Sequence, residues 1–250
     1  MHLIATFIML EKNKISIRNF LSLCVVLTVS ITLSAQQQDT LNQFDSDSNK
    51  HGYWIKKYPS GDKEYEGYFE HGKPIGKFSY YSGDGVKSAQ MVFHEDGSAE
   101  GKLYYENEQV AAEGTYSEPD VKSGEWTYYD RNGNVKMKVH YENDKRNGDM
   151  TVYYAHGQIA RETSFEDGLE TGYRKEYFPD GKLKMEGKYV DGNPEGLQKF
   201  YYPDGKLKQK GYYRDAVKDS MWVEYDERGL PELKKVYDLG KLLETEELQK

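Results

Sequence analysis

The sequence predicts an all-β protein, an elongated single-layer antiparallel β-meander built from about eight β-hairpin repeats of 24 residues. Three observations predict this fold. Glycines recur at intervals of 23 to 25 residues, and an aromatic residue follows in every unit. The segments between turns alternate apolar and polar residues with period two, as half-buried strands do. No stretch of the repeats sustains the 3.6-residue period of a helix.

Length and composition agree with a folded repeat protein. The 250 residues are 37% apolar and 30% charged, and 23 tyrosines supply most of the 14% aromatic content. A disordered chain would carry fewer aromatic residues. The net charge of −8 argues against nucleic acid as the partner, because phosphate binding needs concentrated lysine and arginine. A single cysteine excludes an internal disulfide and a cysteine-based zinc site.

The first 35 residues have the pattern of a secretory signal peptide. Lys12, Lys14 and Arg18 precede an apolar run over residues 20–33, and Ser34-Ala35 place a small residue at the expected cut. The run is short for a membrane span, which needs about 20 apolar residues. The sequence therefore predicts an exported protein, periplasmic or extracellular, with an uncleaved anchor as the alternative.

Three further segments follow the signal peptide. Residues 36–50 are polar and are predicted to form a flexible linker. Residues 51–240 carry the eight repeats. Residues 241–250 (KLLETEELQK) are predicted to cap the far end of the sheet as a short helix.

Two sets of positions define the repeat, and both are predicted to be structural. The glycine set comprises Gly52, Gly76, Gly101, Gly124, Gly148, Gly172 and Gly196, with Ser220 in the eighth place. The aromatic set comprises Phe69, Phe93, Tyr116, Tyr141, Phe165, Tyr189, Tyr213 and Tyr237. A tyrosine column lies between the two sets and comprises Tyr81, Tyr129, Tyr153, Tyr177, Tyr201 and Tyr225. Columns that keep one pitch over this length indicate a repeat architecture.

Each unit is predicted to fold as two strands connected by tight turns. In the sixth unit, residues 177–181 (YFPDG) predict a turn, because proline fixes φ and glycine accepts a positive φ. The alternation after this turn places Leu183 and Met185 on one face and Glu186 on the other. The sheet would then have an aromatic-rich face and a charged face.

Sixteen strands are expected in all. Glycines inside the second strands would leave room for a neighbouring ring to lie across the strand; they are Gly67, Gly114, Gly187 and Gly211. Pro231 is expected to protect the far edge of the sheet from further strand pairing, since only an edge strand tolerates proline in its interior. A propeller of four-stranded blades is the alternative, but the most similar units, the sixth and seventh, are adjacent and not two apart.

Residues 186–196 (EGKYVDGNPEG) and 201–205 (YYPDG) resemble the MORN repeat, and residues 66–76 (EGYFEHGKPIG) resemble it as well. The resemblance covers residues 51 to about 240. The Tyr-Pro-Asp-Gly turns are most similar to the bacterial variant whose members are often labelled YwqK-type antitoxins. This resemblance implies a single-layer sheet of hairpins that binds or scaffolds and does not catalyse. An antitoxin or immunity-like role against a toxin partner is an alternative that it also implies.

The sequence predicts no catalytic residue, cofactor or metal. The histidines occupy different places in the repeat, whereas a ladder of metal sites would use one place. The Asp-Gly pairs lack the spacing of a calcium loop and are typical of turns. Nucleotide-binding and nucleophile motifs are absent from the sequence. We expect a protein without enzyme activity.

Aromatic residues outside the aromatic set and the tyrosine column are the candidates for a binding surface. Most rings must stabilise the sheet, but surplus rings can anchor a protein interface, stack sugars or hold a choline-like cation. The candidates are Trp54, Tyr58, Trp126, Tyr154, Phe178, Tyr202 and Trp222. The expected partner is a protein. Carbohydrate or choline binding is an alternative, as is lipid head-group binding through a basic patch that includes Lys182, Lys184 and Lys206.

Overall fold

The structure, a computed structural model, describes residues 40–248, which form one open antiparallel sheet of eighteen strands and no helix. The strands are β1 (Gln43–Phe44), β2 (Lys50–Lys57), β3 (Lys63–Glu70), β4 (Lys73–Tyr81), β5 (Lys87–Phe93), β6 (Ala99–Tyr104), β7 (Val110–Glu118), β8 (Val121–Tyr129), β9 (Val135–Glu142), β10 (Lys145–Tyr153), β11 (Ile159–Glu166), β12 (Leu169–Tyr177), β13 (Leu183–Val190), β14 (Asn193–Tyr201), β15 (Leu207–Arg214), β16 (Val217–Tyr225), β17 (Pro231–Asp238) and β18 (Lys241–Glu247). Each strand pairs with its neighbours in the chain. The predicted β-meander of hairpin repeats is confirmed.

Both ends of the sheet differ from the prediction. Gln43 and Phe44 pair with β2, and the side chain of Asn42 bonds both main-chain groups of Ile55, so a flexible linker is wrong for this part of residues 36–50. The predicted C-terminal helix is also wrong, because six of the seven residues of β18 pair with β17. The unpaired backbone groups of an edge strand favour a further strand over a helix at both ends.

The predicted signal peptide, residues 1–35, lies outside the described residues. Within residues 40–248 there is no helix that is long and apolar enough to cross a membrane.

The aromatic set packs on one face of the sheet, here called the core face. Tyr65, Phe69 and Phe78 form one buried cluster. A second buried cluster comprises Ala112, Tyr116, Trp126, Val139, Met150 and Phe165. Near the C-terminal end Trp222 packs edge-to-face on Tyr213, with ring centroids 5.3 Å apart. Side chains of neighbouring strands thus bury one another, which lets a single layer acquire a core.

A one-residue bulge at the start of each second strand changes the predicted alternation. In the sixth unit Glu176 pairs with Met185 but Tyr177 pairs with Leu183, so Lys184 is the extra residue. Leu183 therefore lies with Tyr177 on the opposite, open face, and not beside Met185 as predicted. Val135 pairs with Tyr129 in the same way. A bulge shifts the period of two by one residue, so strict alternation fails at this point.

The glycine set marks a second irregularity, where the backbone enters the left-handed region. Gly172 has φ of 72° and Gly196 of 68°, and Ser220 adopts φ of 57° in the eighth place. Gly101 is the exception: β5 and β6 pair without a register shift, and a Cβ there would meet the Tyr116 ring at 2.6 Å. The third unit lacks this bulge, which explains its shorter first half.

Glycines inside the second strands are covered by large side chains, as predicted. Phe78 lies over Gly67, where an added Cβ would come within 2.5 Å of the ring. Trp126 covers Gly114 and Trp222 covers Gly211 in the same way. At Gly187 the covering group is the amide of Gln198 and not a ring. A large side chain on the neighbouring strand thus fills the space that each of these glycines leaves.

Candidate binding surface

The two tryptophans Trp126 and Trp222 are wrong as candidates for a binding surface. Their exposed fractions are 0% and 1%. Their indole nitrogens donate to the main-chain oxygens of Thr115 and Tyr212, each at 3.0 Å. Both rings fill the space that a glycine leaves on the core face, so neither is available to a ligand.

Three candidate tyrosines tie successive repeats together. The hydroxyls of Tyr58, Tyr154 and Tyr202 donate to main-chain oxygens at 2.7 to 2.9 Å. The acceptor in each case is the column tyrosine of the next unit, such as Tyr177 for Tyr154. All three tyrosines are half-buried, so they are structural residues and not a free surface. Their regular geometry explains why the turns follow one another in register.

The remaining candidates, Trp54 and Phe178, are also half-buried. Trp54 donates to the main-chain oxygen of Gln43 at 3.0 Å, and its ring meets Phe44 edge-to-face with centroids 5.0 Å apart. Phe178 occupies the same place in its turn as Tyr154 but has no hydroxyl. The seven candidates therefore do not form a common exposed surface.

The tyrosine column lies on the open face, and four of its six hydroxyls, those of Tyr81, Tyr129, Tyr177 and Tyr201, donate to carboxylates. Tyr129 donates to Glu113 at 2.5 Å, and Tyr201 donates to Glu186 at 2.8 Å. The hydrogen bond to Glu113, assisted by burial, raises the pKa of Tyr129 to about 12. The hydrogen bonds from Tyr129 and Lys102 lower the pKa of Glu113. These carboxylates are ionised and occupied by partners, which is the opposite of what a general acid requires.

A charged cluster lies on the core face at β11 to β13. Arg174 donates to Glu176 and lies 3.7 Å from Glu170, whose carboxylate accepts from Thr163 at 2.6 Å. Burial opposes ionisation of Glu176, but the hydrogen bond from Arg174 lowers the pKa of Glu176. Charges and partners are matched, so the cluster stabilises the sheet. Within residues 40–248 there is no group of three or more acidic, histidine or cysteine side chains that could hold a metal ion.

The open face carries a patch of exposed apolar side chains on β12 to β16. The apolar patch comprises Leu169, Tyr173, Val190, Tyr212, Val217 and Met221. Tyr173 is 68% exposed, Met221 50% and Tyr212 48%. Between Tyr68 and Leu169, a stretch that is described throughout, no large apolar side chain is exposed. The exposed apolar surface is therefore concentrated in the C-terminal repeats.

Cross-strand pairing brings the patch residues together. Tyr173 pairs with Lys188, and Tyr212 pairs with Leu197. Met221 pairs with Val236 in the next hairpin. The equivalent pairs of the fourth and fifth repeats are polar and comprise Glu125 with His140 and Asp149 with Ser164, whereas the first repeat pairs Tyr53 with Tyr68. The patch therefore belongs to the last three repeats, and a smaller aromatic pair lies on the same face of the first.

The charged groups beside the patch differ in their pairing. Lys175 and Lys188 are exposed and form no ion pair within residues 40–248. Lys182 and Lys206, in the basic patch predicted for lipid head groups, pair with Asp180 and Asp204 at 3.0 and 2.9 Å. Lys188, next to the apolar patch, therefore has no paired charge, whereas Lys182 and Lys206 at the turns do.

Sequence reasoning missed the apolar patch, although a signal for it exists. Tyr173, Leu197 and Met221 each follow directly after a glycine-set position or its serine replacement. The first unit carries Tyr53 at that place, and the second to fifth units carry Lys77, Lys102, Glu125 and Asp149. A comparison of this position across units reveals the change from charged residues in units two to five to apolar residues in the last three.

Comparisons with known proteins extend the description of the repeats. A family model described as MORN repeat variant matches residues 99–118, 122–143, 146–167, 170–191 and 194–215. Each match covers the two strands of one unit, and the last two contain Tyr173, Val190 and Tyr212 of the apolar patch. No curated protein matches the chain.

Solved structures show only a weak likeness. The TcdB2-TccC3 structure is 15% identical with a TM-score of 0.24, over 78% of this chain and 13% of the matched chain. The TcdB2-TccC3-Cdc42 structure is 16% identical with the same TM-score, over 78% of this chain and 13% of the matched chain. This chain spans a small fraction of their length, and a likeness at this level supports no inference.

Proposed function

Because residues 99–215 are five repeats of the MORN variant in a sheet with one filled and one open face, we propose that the chain is a non-enzymatic binding module for a protein partner. The observation that carries the proposal is the apolar patch, in which Tyr173 on its first strand, β12, is 68% exposed. Contiguous apolar surface on a folded protein marks an interaction site. Tyrosine is among the residues that dominate protein interfaces.

Other binding modes have less support. Stacking of sugars or choline on tryptophan requires exposed indoles, but Trp126 and Trp222 are buried and Trp54 is covered by Phe44 and Lys50. Lipid head groups would need free lysines at the turns, where Lys182 and Lys206 are paired and also donate to main-chain oxygens. A toxin neutralised by this chain would be one kind of protein partner and falls under the same test.

The test compares capture by patch variants and by a matched control. The tagged protein is cross-linked in its own envelope fraction and its partners are identified by mass spectrometry. We expect a partner that is retained by the unaltered protein and by Tyr68→Ser, which removes an exposed tyrosine outside the patch. The double variant Tyr173→Ser and Met221→Ser is expected to lose it. A partner retained equally by the double variant would refute the proposal, provided that circular dichroism shows the variant folded.

Export is part of the proposal and rests on residues 1–35. The basic residues Lys12, Lys14 and Arg18 before an apolar run support it. N-terminal sequencing of the protein recovered from envelope and medium is expected to begin at Gln36. A chain that retains residues 20–35 and fractionates with the cytoplasm would contradict export without affecting the binding proposal.

A further inference from the structure

We infer that the apolar patch binds a proline-rich segment in the polyproline II conformation, which crosses the strands along the long axis of the sheet. The inference rests on the proposed function and names the chemistry of its partner. It is carried by the spacing of the patch residues, by their polar atoms and by the neighbouring charges.

The spacing of equivalent residues matches one turn of a polyproline II helix. Tyr173 and Met221 of the patch, and the half-buried Leu197 between them, occupy equivalent places on β12, β16 and β14, so consecutive members lie two strands apart. Strands are spaced by about 4.8 Å, which gives about 9.6 Å between consecutive members. A polyproline II helix has three residues per turn and advances about 3.1 Å per residue, or about 9.3 Å per turn. Every third residue of such a segment would meet the same place in the next repeat.

Other backbone conformations match the surface less well. An extended strand returns to the same face after two residues, so its repeat distances are about 6.6 and 13.2 Å. An α-helix returns after seven residues, or about 10.5 Å. The sheet also twists by about 20° per strand, so its surface turns by roughly 80° between β12 and β16. A straight helix cannot follow that turn, whereas a polyproline II segment has no internal hydrogen bonds to hold it straight.

The polar groups at the patch are hydrogen-bond donors that could bind carbonyl oxygens of a partner. The hydroxyls of Tyr173 and Tyr212 and the ammonium of Lys188 have no hydrogen-bond partner within the described part of the chain. All three groups can donate. A polyproline II segment offers unpaired carbonyl oxygens and few N–H groups, since proline has none. Flat tyrosine rings next to Leu197 and Met221 supply the surface on which proline rings pack, as in other modules that bind such segments.

Charge specifies one further property of the segment. Lys188 is exposed without an ion pair within residues 40–248 and pairs across the strands with Tyr173 on the open face. Lys175 lies between Glu162 and Glu186 in the strand register, so Lys188 is the group that an acidic residue between two prolines would meet. The expected segment is therefore Pro-x-x-Pro-x-x-Pro with aspartate or glutamate at one of the intervening positions.

The test uses three synthetic peptides and the protein purified from its own host, with binding measured by calorimetry. One peptide has proline at every third position and one glutamate. The second has the same composition with the prolines clustered, and the third is an amphipathic helix with leucines seven residues apart. We expect the first peptide to bind, and the other two to bind at least about tenfold more weakly, a factor that corresponds to about 1.4 kcal/mol.

Variants locate the binding on the patch. Tyr173→Ala and Tyr212→Ala are each expected to weaken binding of the first peptide by about tenfold, since interface tyrosines typically contribute this much. Tyr212→Phe, which removes only the donor, is expected to weaken it by about threefold, and Tyr68→Ala is expected to leave it unchanged. Equal binding by Tyr173→Ala would overturn the inference, as would preference for the helical peptide.

The outcome is separable from that of the proposed function. If no peptide binds but the captured partner is still lost by Tyr173→Ser with Met221→Ser, the proline-rich segment is refuted and the binding module stands. If the double variant retains the partner, the proposed function itself fails.

Discussion

Replacing Gly114 by alanine tests whether the core face is held together by size-matched pairs. Gly114 lies in β7 with a backbone conformation that any residue adopts, so the substitution introduces no strain in φ. Elsewhere, glycine to alanine at a compatible position stabilises a protein by about 0.4–1 kcal/mol through the unfolded chain. At Gly114 we expect alanine to destabilise the protein instead.

The magnitude follows from the ring that covers Gly114. An added Cβ would lie 2.4 Å from Cδ2 of Trp126, which is fully buried. The indole is held by its bond to Thr115 and by edge-to-face contact with Tyr116, whose ring centroid is 5.0 Å away. It cannot move away without breaking one of these contacts. Overpacking of this kind costs about 1–3 kcal/mol, and we expect Gly114→Ala to lose that much.

Urea unfolding followed by circular dichroism measures the effect, with Gly83→Ala as the matched control. A Cβ at Gly83 meets nothing within 4 Å and Gly83 has no positive φ, so this variant is expected to gain up to about 1 kcal/mol. The double variant Gly114→Val with Trp126→Met imitates the buried pair of Val139 and Met150. The free energy of unfolding that the double variant loses is expected to be about 1–2 kcal/mol smaller than the summed losses of its two single variants.

Equal stability of Gly114→Ala and Gly83→Ala would refute the requirement for glycine beneath the Trp126 ring. That result would mean that the ring moves freely over the strand and that glycine is not required beneath it. Additivity of the two single variants in the double variant would lead to the same conclusion.

Three more predictions follow from contacts already described. Tyr154→Phe removes the hydroxyl bond to Tyr177 and is expected to cost about 0.5–1.5 kcal/mol in urea unfolding; an unchanged midpoint would refute the tie between turns. The pKa of Tyr129 is about 12 in the folded chain and about 10 when unfolded, so its contribution to stability is complete below pH 10 and is lost as the pH rises towards 12. Ultraviolet titration checks this, and Glu113→Gln is expected to move the Tyr129 pKa back towards 10. Ser220→Gly relieves a φ of 57° and is expected to gain up to about 1 kcal/mol; a loss measured by thermal unfolding would show that the Ser220 bond to Asp219 outweighs the strain.

The repeat itself could be predicted because its signals lie at fixed sequence distances. Glycine and aromatic positions recur with one pitch, and the structure places Phe69, Tyr116 and Phe165 in the buried clusters. The pairing of Gly67 with a ring was also predictable, since a residue without a side chain in an aromatic-rich sheet leaves a space that must be filled. These inferences need only residue types and their period.

The bulges and the last strand could not be predicted in this way. A bulge adds a residue without changing composition, so the period of two gave no warning that Leu183 changes face. Residues 241–247 consist largely of good helix formers, and intrinsic preference favours a helix there. The neighbouring β17 offers a row of backbone partners, and pairing with them decides the conformation.

The binding surface was hard to predict for a related reason. Tryptophans attract attention in a sequence, but the largest rings are the ones that best fill the space over glycine, so Trp126 and Trp222 are buried. The patch is made of ordinary residues such as Leu169 and Met221, and only the strand register shows that they share an exposed face. Knowledge of the face, and not of the residue type, separates a core residue from a contact residue here.

Strictly sequential pairing has a consequence for how the molecule forms and opens. Every strand contacts segments that are only one hairpin away in the chain, so the contact order is low for an all-β protein and the entropy of loop closure is small at each step. Nucleation can therefore occur at any hairpin and propagate outwards, as in other linear arrays. Opening runs in reverse and begins at the ends of the sheet, where β1 pairs with β2 over only two residues. A whole unit could be gained or lost during evolution without altering the topology of the remainder.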